Sequence, residues 1–360
     1  MKAVIFAGGV GTRLWPISRK NAPKQFEKIS GDHSTLQLAA ERLYPDFKPQ
    51  EIYVSTGEKF REIVFEQLPE IPHENFIFEP EVRDVGPAVA AACAIVGKDD
   101  PSEPVAIIWS DHFVKKERRF REVLGFAEGI VTQNPDRLVF IGQRARFANQ
   151  NIGWIEFGKE VKTIRDTKIF EFKRLVYRPS LEEAQKYLES NSFAWNPGYF
   201  VTTPRFILDA YRKFAPKIWE GVVRIQEARG TDSFEAVMKR EYPKLEKISF
   251  DDAVLEKLDP AHVLVIAADL GWSDVGAWEA LKEALQVESH ENVKKGKVLL
   301  TDSSDNLVFN YTDQLTTGID LTGMIVINTD DVLLICSKDS APKIKKLVES
   351  LAGTEHENLT

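Results

Sequence analysis

The chain has 360 residues, of which 43% are hydrophobic, 28% charged and 10% aromatic, and its formal net charge is −8. That length exceeds one ordinary core and predicts two domains. With no basic tail and no long Lys/Arg run, the acidic balance excludes a duplex nucleic-acid binder, although a local pocket of cations still suits a small anion.

Apolar runs at 2–7, 51–56, 75–79, 104–110 and 137–142 are short and bounded by turn residues. Buried parallel strands have that form. Helix-like stretches lie between them at 34–43, 58–68 and 86–98, so the spacing predicts repeated strand–helix–strand units and a parallel sheet. From 150 to 203 the pattern turns strand-like, and 204–228 reads as one long helix. A last strand near 262–268 leads through GWSDVGAW into another helix. Beyond about residue 286, short strands start at 298, 306, 314, 324 and 332, with polar turns between them. Such a rhythm predicts a small β-solenoid or meander, closed by the amphipathic APKIKKLVESL. The expected domains are therefore 1–285, carrying the chemistry, and 286–360.

No apolar stretch approaches the roughly 20 residues that a bilayer span needs. Lys2 is followed by only five apolar residues before the glycines, too few for a signal peptide. Cys93 and Cys336 sit in apolar segments without metal-ligand spacing and read as two buried reduced thiols. A cytoplasmic setting is expected.

The first strand runs into AGGVGTRLWP, residues 7–16. Gly8, Gly9 and Gly11 fall within four residues, more than a plain turn needs, and they cost backbone entropy. A dinucleotide fingerprint fails because its third glycine position is Leu14, and a Walker A loop fails for want of Gly-Lys-Ser/Thr. What remains is a loop of free N–H groups at a helix start, which binds phosphate. Asp111 in WSDHF stands just past an apolar run, at the sheet edge where open parallel sheets take ligands, and Asp274 lies in the turn of GWSDVGAW. Either alone could cap a helix or close a turn. Beside a polyphosphate loop, the pair suits Mg²⁺, which takes one or two carboxylates and completes its shell with phosphate oxygens and water.

AGGVGTRLWP followed by PKQF (23–26) resembles the opening of the sugar-1-phosphate nucleotidyltransferases, and among them the mannose-1-phosphate guanylyltransferases, with their A-G-G-x-G-T-R-L-x-P and P-K-Q-F. The resemblance spans roughly residues 1 to 340. It implies a Rossmann-like α/β catalytic domain with a mixed, mostly parallel sheet, and a small left-handed β-helix-like C-terminal domain. It also implies GTP and mannose 1-phosphate as substrates. By resemblance, Gly8, Gly9, Gly11 and Thr12 bind the nucleotide, Arg13 reaches the departing pyrophosphate, and Lys24 holds the phosphate under attack. Asp111 and Asp274 match the family's two magnesium landmarks, the second within W-x-D-V-G-x-W. His112 is then structural rather than catalytic, since an ionised phosphate nucleophile needs no base.

FEPEVRDVGPA (78–88) resembles the family's E-P-x-x-R-N-T-A-P-A, departing from it at Asp84, Val85 and Gly86. Glu79 and Gly86 are the expected nucleotide contacts there, since a carboxylate accepts from both guanine N1–H and N2–H₂. For the sugar, the resemblance carries over Gly153 in NIGWIEF, Asn196 in WNPGYF and Arg178 in RLVYRPS. Tyr177 stands where the family has glutamate, which leaves Glu156 or Glu171 to supply the missing charge. SFDDAVLEK (249–257) resembles I-D-Y-A-V-M-E with Asp252 in place of tyrosine, and its acids read equally as a helix start. Some family members carry a further isomerase domain after this point, so a chain ending at residue 360 is expected to act as the transferase alone. Partners are expected to be these small molecules, with no nucleic acid and no membrane. The β domain permits a homodimer without requiring one.

Overall fold

In the computed structural model, residues 1–9, 14–19, 23–29 and 32–360 are described. Contacts divide the chain into two compact units, and the division does not follow chain order. The first comprises Met1–Gly8, Gln37–Ser110 and Val114–Gly271. The second comprises Gly9–Leu36, Asp111–Phe113 and Trp272–Thr360, so it gathers Gly9, Lys24 and both aspartate segments together with the C-terminal strands.

Strands β1 (Lys2–Phe6), β2 (Ile52–Gly57), β3 (Phe76–Glu79) and β4 (Val105–Trp109) are the apolar runs read from the sequence. β5 (His112–Val114) leaves the main sheet, and β6 (Leu138–Arg144), β7 (Trp154–Ile164), β8 (Thr167–Val176), β9 (Phe193–Thr202) and β10 (Val263–Ala268) return to it. β11 (Trp272–Asp274) pairs with β5 instead. The first unit is thus built on a nine-stranded sheet in the order β3-β2-β1-β4-β9-β6-β10-β8-β7. β1 to β4 are parallel neighbours, as are β6 and β10, whereas β9 runs antiparallel between β4 and β6. The mixed, mostly parallel sheet agrees with expectation.

Parallel strands covered on both faces must be apolar throughout, and Val105, Ala106, Ile107 and Ile108 of β4 are all fully buried. One cover is the helix Val85–Val96, which is buried from Gly86 onward and therefore shows no amphipathic stripe. The stretch 204–228 is two helices rather than one, Pro204–Phe214 and Pro216–Ala228. Pro216 has no N–H to donate and forces Ala215 out of helical geometry, to φ −143° and ψ 62°.

In the second unit, β12 (Val293–Lys295), β13 (Val298–Thr301), β14 (Leu307–Asn310), β15 (Thr316–Ile319), β16 (Met324–Asn328) and β17 (Leu333–Ser337) follow at solenoid spacing. β12, β14 and β16 pair in parallel as one wall, closed by antiparallel β17, while β13 and β15 form another. Asparagines knit successive turns: Asn306 Nδ2 donates to Asn292 Oδ1 at 2.9 Å, and Asn328 Nδ2 donates to Asn310 Oδ1 at 3.1 Å. Buried amides need such partners. Leu307, Phe309, Ile325 and Ile327 form a core with Leu14, Trp15, Ile17 and Trp278, so the C-terminal strands pack on residues of the opening motif.

Both cysteines are free, as expected, but only Cys93 is fully buried, and burial pushes its thiol up to about 12. Cys336 is half-buried. Among the described residues no helix is long and apolar enough to cross a membrane.

Candidate functional site

In the second unit, Lys24 opens a short 3₁₀ turn, Lys24–Phe26, entered from Pro23 at φ −64°. Ser18 Oγ accepts from the Lys24 backbone N–H at 3.1 Å, and Gln25 Nε2 donates to the Gly9 carbonyl at 3.3 Å. The glycine turn and the Lys-Gln-Phe turn are thereby tied together. Lys24 Nζ lies 2.8 Å from Asp111 Oδ2, and its side chain is only 10% exposed. Burial alone would raise the Asp111 carboxyl. The Lys24 ammonium and, after it, His112 outweigh burial and hold the group well below the usual carboxylate range. His112 faces Asp111 Oδ1 at 3.8 Å and stands edge-on to Trp272 at 5.1 Å.

Asp111 immediately precedes β5, and Asp274 ends β11. Just beyond these strands, Lys115 N donates to Gly271 O and Lys116 N to Leu270 O, so the two segments run antiparallel. That direction puts Asp274 at the same end of the ribbon as Asp111. Arg13, Gly11 and Thr12 lie outside the described residues.

The opening motif is braced within the same unit. Trp15 Nε1 donates to the Leu359 carbonyl at 2.7 Å, and Trp278 Nε1 donates to the Trp15 carbonyl at 2.9 Å. Arg19 makes a two-pronged pair with Asp331, at 2.7 and 2.6 Å. None of these partners follows from spacing, since each spans more than 260 residues.

In the first unit, Glu79 ends β3 and both of its oxygens accept from hydroxyls: Oε1 from Ser55 at 3.0 Å and Oε2 from Tyr242 at 2.7 Å. Burial raises the Glu79 carboxyl above its ordinary range, against the pull of those two hydrogen bonds. Each oxygen keeps a further lone pair, so a two-pronged acceptor remains. Gly86 has a packing reason to be glycine, because a Cβ there would meet the Ile248 carbonyl at 2.6 Å. Tyr211 also donates to the Gly86 carbonyl at 2.5 Å.

Gly153, Tyr177 and Asn196 come together in this unit. A Cβ on Gly153 would stand 3.3 Å from the Tyr177 ring and 3.5 Å from Asn196 Cβ, and Asn196 N donates to the Gly153 carbonyl at 2.7 Å. Asn196 Oδ1 accepts from Gly198 N at 2.9 Å, which turns its NH₂ into the spare group. Arg178 is exposed and held at φ +44°, a conformation few non-glycine residues adopt. The acid that reaches Tyr177 is neither Glu156 nor Glu171. It is Asp251, whose Oδ1 accepts from the Tyr177 hydroxyl. Glu156 pairs with Arg174 at 2.7 Å and Lys173 at 3.3 Å, and Glu171 lies against Gly158 in the β7–β8 hairpin. Asp252 is occupied with Ser249, the cap of the helix Phe250–Ala253, in keeping with a helix-start reading.

A family model described as nucleotidyl transferase matches residues 2–291, and one described as a MannoseP isomerase/GMP-like beta-helix domain matches residues 296–351. Mannose-1-phosphate guanylyltransferase 2 of Escherichia coli O157:H7 is 32% identical over 357 residues, 97% of this chain and 73% of that protein. The chain belongs to the mannose-1-phosphate guanylyltransferase family of nucleotidyl transferases. A putative mannose-1-phosphate guanylyltransferase of Vibrio cholerae serotype O1 is likewise 32% identical, over 97% of this chain and 74% of its own length. A crystal structure from Thermus thermophilus, described as a mannose-1-phosphate geranyltransferase, superposes with a TM-score of 0.85 at 26% identity, covering 97% of this chain and 98% of that one. Membership makes this guanylyltransferase-family chain a nucleotidyltransferase enzyme, with a β-helix domain at its C-terminal end.

Proposed function

We propose that this enzyme transfers GMP from GTP to mannose 1-phosphate, giving GDP-mannose and pyrophosphate. The observation that carries the reading is the buried Lys24 ammonium on Asp111, with Asp274 at the same ribbon end and the Gly9 carbonyl held by Gln25 beside Lys24. The nucleophile is a phosphate oxygen already ionised near neutral pH. No general base is needed, and the chemistry reduces to alignment and charge neutralisation. Lys24 stabilises the equatorial oxygens of the α-phosphate, and Arg13 takes the leaving pyrophosphate. Arg178 orients the sugar phosphate, Asn196 and Gly153 meet the sugar, and Glu79 accepts from guanine.

Asp111 and Asp274 would hold Mg²⁺. Among the described residues there is no cluster of three or more metal-ligating side chains. Two carboxylates fit an ion whose remaining positions are filled by phosphate oxygens and water, not by a closed protein cage. When bound, that ion supplies positive charge to the phosphates.

A homodimer belongs to the same reading. On β13 and β15 the outward positions Leu299, Thr301, Thr317 and Ile319 form an exposed strip, apolar at Leu299 and Ile319, for a second copy to cover. Sedimentation of the wild type should give a dimer, and Ile319→Lys should shift it toward monomer; a monomeric wild type refutes this assembly.

The test of function is a grid of nucleoside triphosphates against sugar 1-phosphates with magnesium, read as pyrophosphate release. GTP with mannose 1-phosphate should give the highest kcat/KM, and a clear preference for another pair overturns the reading. Glu79→Gln should lower kcat/KM for GTP about tenfold or more, the loss of one charged acceptor, with little change for other triphosphates. An unchanged ranking of nucleotides in that variant removes Glu79 from base recognition.

A further inference from the structure

Tyr177 and Asp251 form a pair that nothing in the family pattern anticipates. The family has glutamate at the position of Tyr177 and tyrosine at that of Asp252, within a segment whose Asp251 is unchanged. Two acids and one phenol are therefore present in both arrangements, but here an acid and the phenol have traded places along the chain. Geometry shows the consequence. The Tyr177 ring rests on the bare α-carbon of Gly153, beside Asn196, and its hydroxyl donates to Asp251 Oδ1. Any side chain at position 153 would press on that ring, at 3.3 Å from Cβ onward. Tyr177 as a whole residue is nevertheless 41% exposed.

Building on the sugar site proposed above, we infer that Tyr177 and Asp251 act as one composite acceptor for a hydroxyl of the sugar 1-phosphate. The phenol spends its proton on Asp251, which leaves the phenolic oxygen with lone pairs and no donor role to play. Hydrogen bonds that end on a carboxylate polarise the whole chain, so the phenolic oxygen becomes a stronger acceptor than an isolated tyrosine. Asn196 Nδ2 provides the neighbouring donor and Arg178, without an ion pair among the described residues, the cation. Acceptor, donor and cation together match a neutral polyol bearing one phosphate.

The test uses the full chain and the triphosphate and sugar 1-phosphate pair that the wild type turns over best. Tyr177→Phe keeps the ring on Gly153 and removes the relay. It should raise KM for the sugar 1-phosphate about tenfold or more, with KM for the triphosphate and kcat within about threefold. Asp251→Asn should raise the same KM in the same direction, and calorimetric titration with the sugar 1-phosphate alone should show the matching loss of affinity. A wild type that prefers glucose 1-phosphate refutes the mannose reading yet leaves this inference open to the same two variants. An unchanged sugar KM and affinity in Tyr177→Phe, or an equal rise in both substrates' KM, overturns it.

Discussion

Lys24→Met lowers the rate of pyrophosphate release by roughly 10²–10³-fold, the loss seen when one preorganised charge is removed from a developing anion. The methionine keeps the unbranched stem and its packing but carries no charge. In the native protein the ammonium sits 2.8 Å from Asp111, in a turn fixed by Ser18 and tied to the Gly9 carbonyl. Its backbone is therefore held by hydrogen bonds and its ammonium by the ion pair, which is the kind of fixed placement that alignment of a phosphate demands. Asp111 remains 30% exposed, so water takes over part of its solvation and the fold survives. Thermal melts within a few degrees of wild type, together with the lost rate, are the expected result. A rate within threefold of wild type would remove Lys24 from the chemistry.

Trp278→Ala produces the largest expected change in stability, about 3–5 kcal/mol for truncation of a buried tryptophan. Trp278 is fully buried, stands edge-on to Phe309 at 5.9 Å, and donates to the Trp15 carbonyl at 2.9 Å. Truncation opens the core shared by the opening motif and the C-terminal strands, and it also leaves that carbonyl without its donor. The damage reaches function because Leu14 and Trp15 directly follow the glycine-rich loop, so KM for the triphosphate should rise as well. Trp278→Phe keeps a ring against Phe309 and should cost less, on the order of 1–2 kcal/mol for the lost hydrogen bond. Denaturant titration measures both. An alanine variant within 1 kcal/mol of wild type would show that the two segments do not stabilise one another.

Much of this architecture could be read from residue order, and the reasons are local. β1 to β4 are continuous apolar runs because both of their faces are covered, and that pattern survives in a single sequence. Strands β13 to β17 were legible from their even spacing. The break at Ala215–Pro216 also had a local cause, but the apolar periodicity on either side masks it. Tertiary pairings left no such trace. Tyr242 reaches Glu79 across 163 residues, and Trp15 reaches Leu359 across 344. Asp251 and Asp252 are adjacent and chemically alike, and only the backbone decides which one meets the helix cap Ser249 and which one meets Tyr177. The grouping of Lys24, Asp111 and Asp274 in one compact unit was the expected core of the site, yet it depends on β5 leaving the main sheet to pair with β11, which no periodicity announces.

The most direct measurement is pyrophosphate release from GTP and mannose 1-phosphate as a function of magnesium concentration, for the wild type, Asp111→Asn and Asp274→Asn. Each asparagine preserves shape, removes the charge and exchanges one acceptor oxygen for an NH₂. The wild type should require magnesium, and each variant should fall at least about 10²-fold in rate while melting as a folded protein. Rates close to wild type in both variants, with the same magnesium dependence, would contradict the assignment of these two carboxylates to a metal-bound triphosphate.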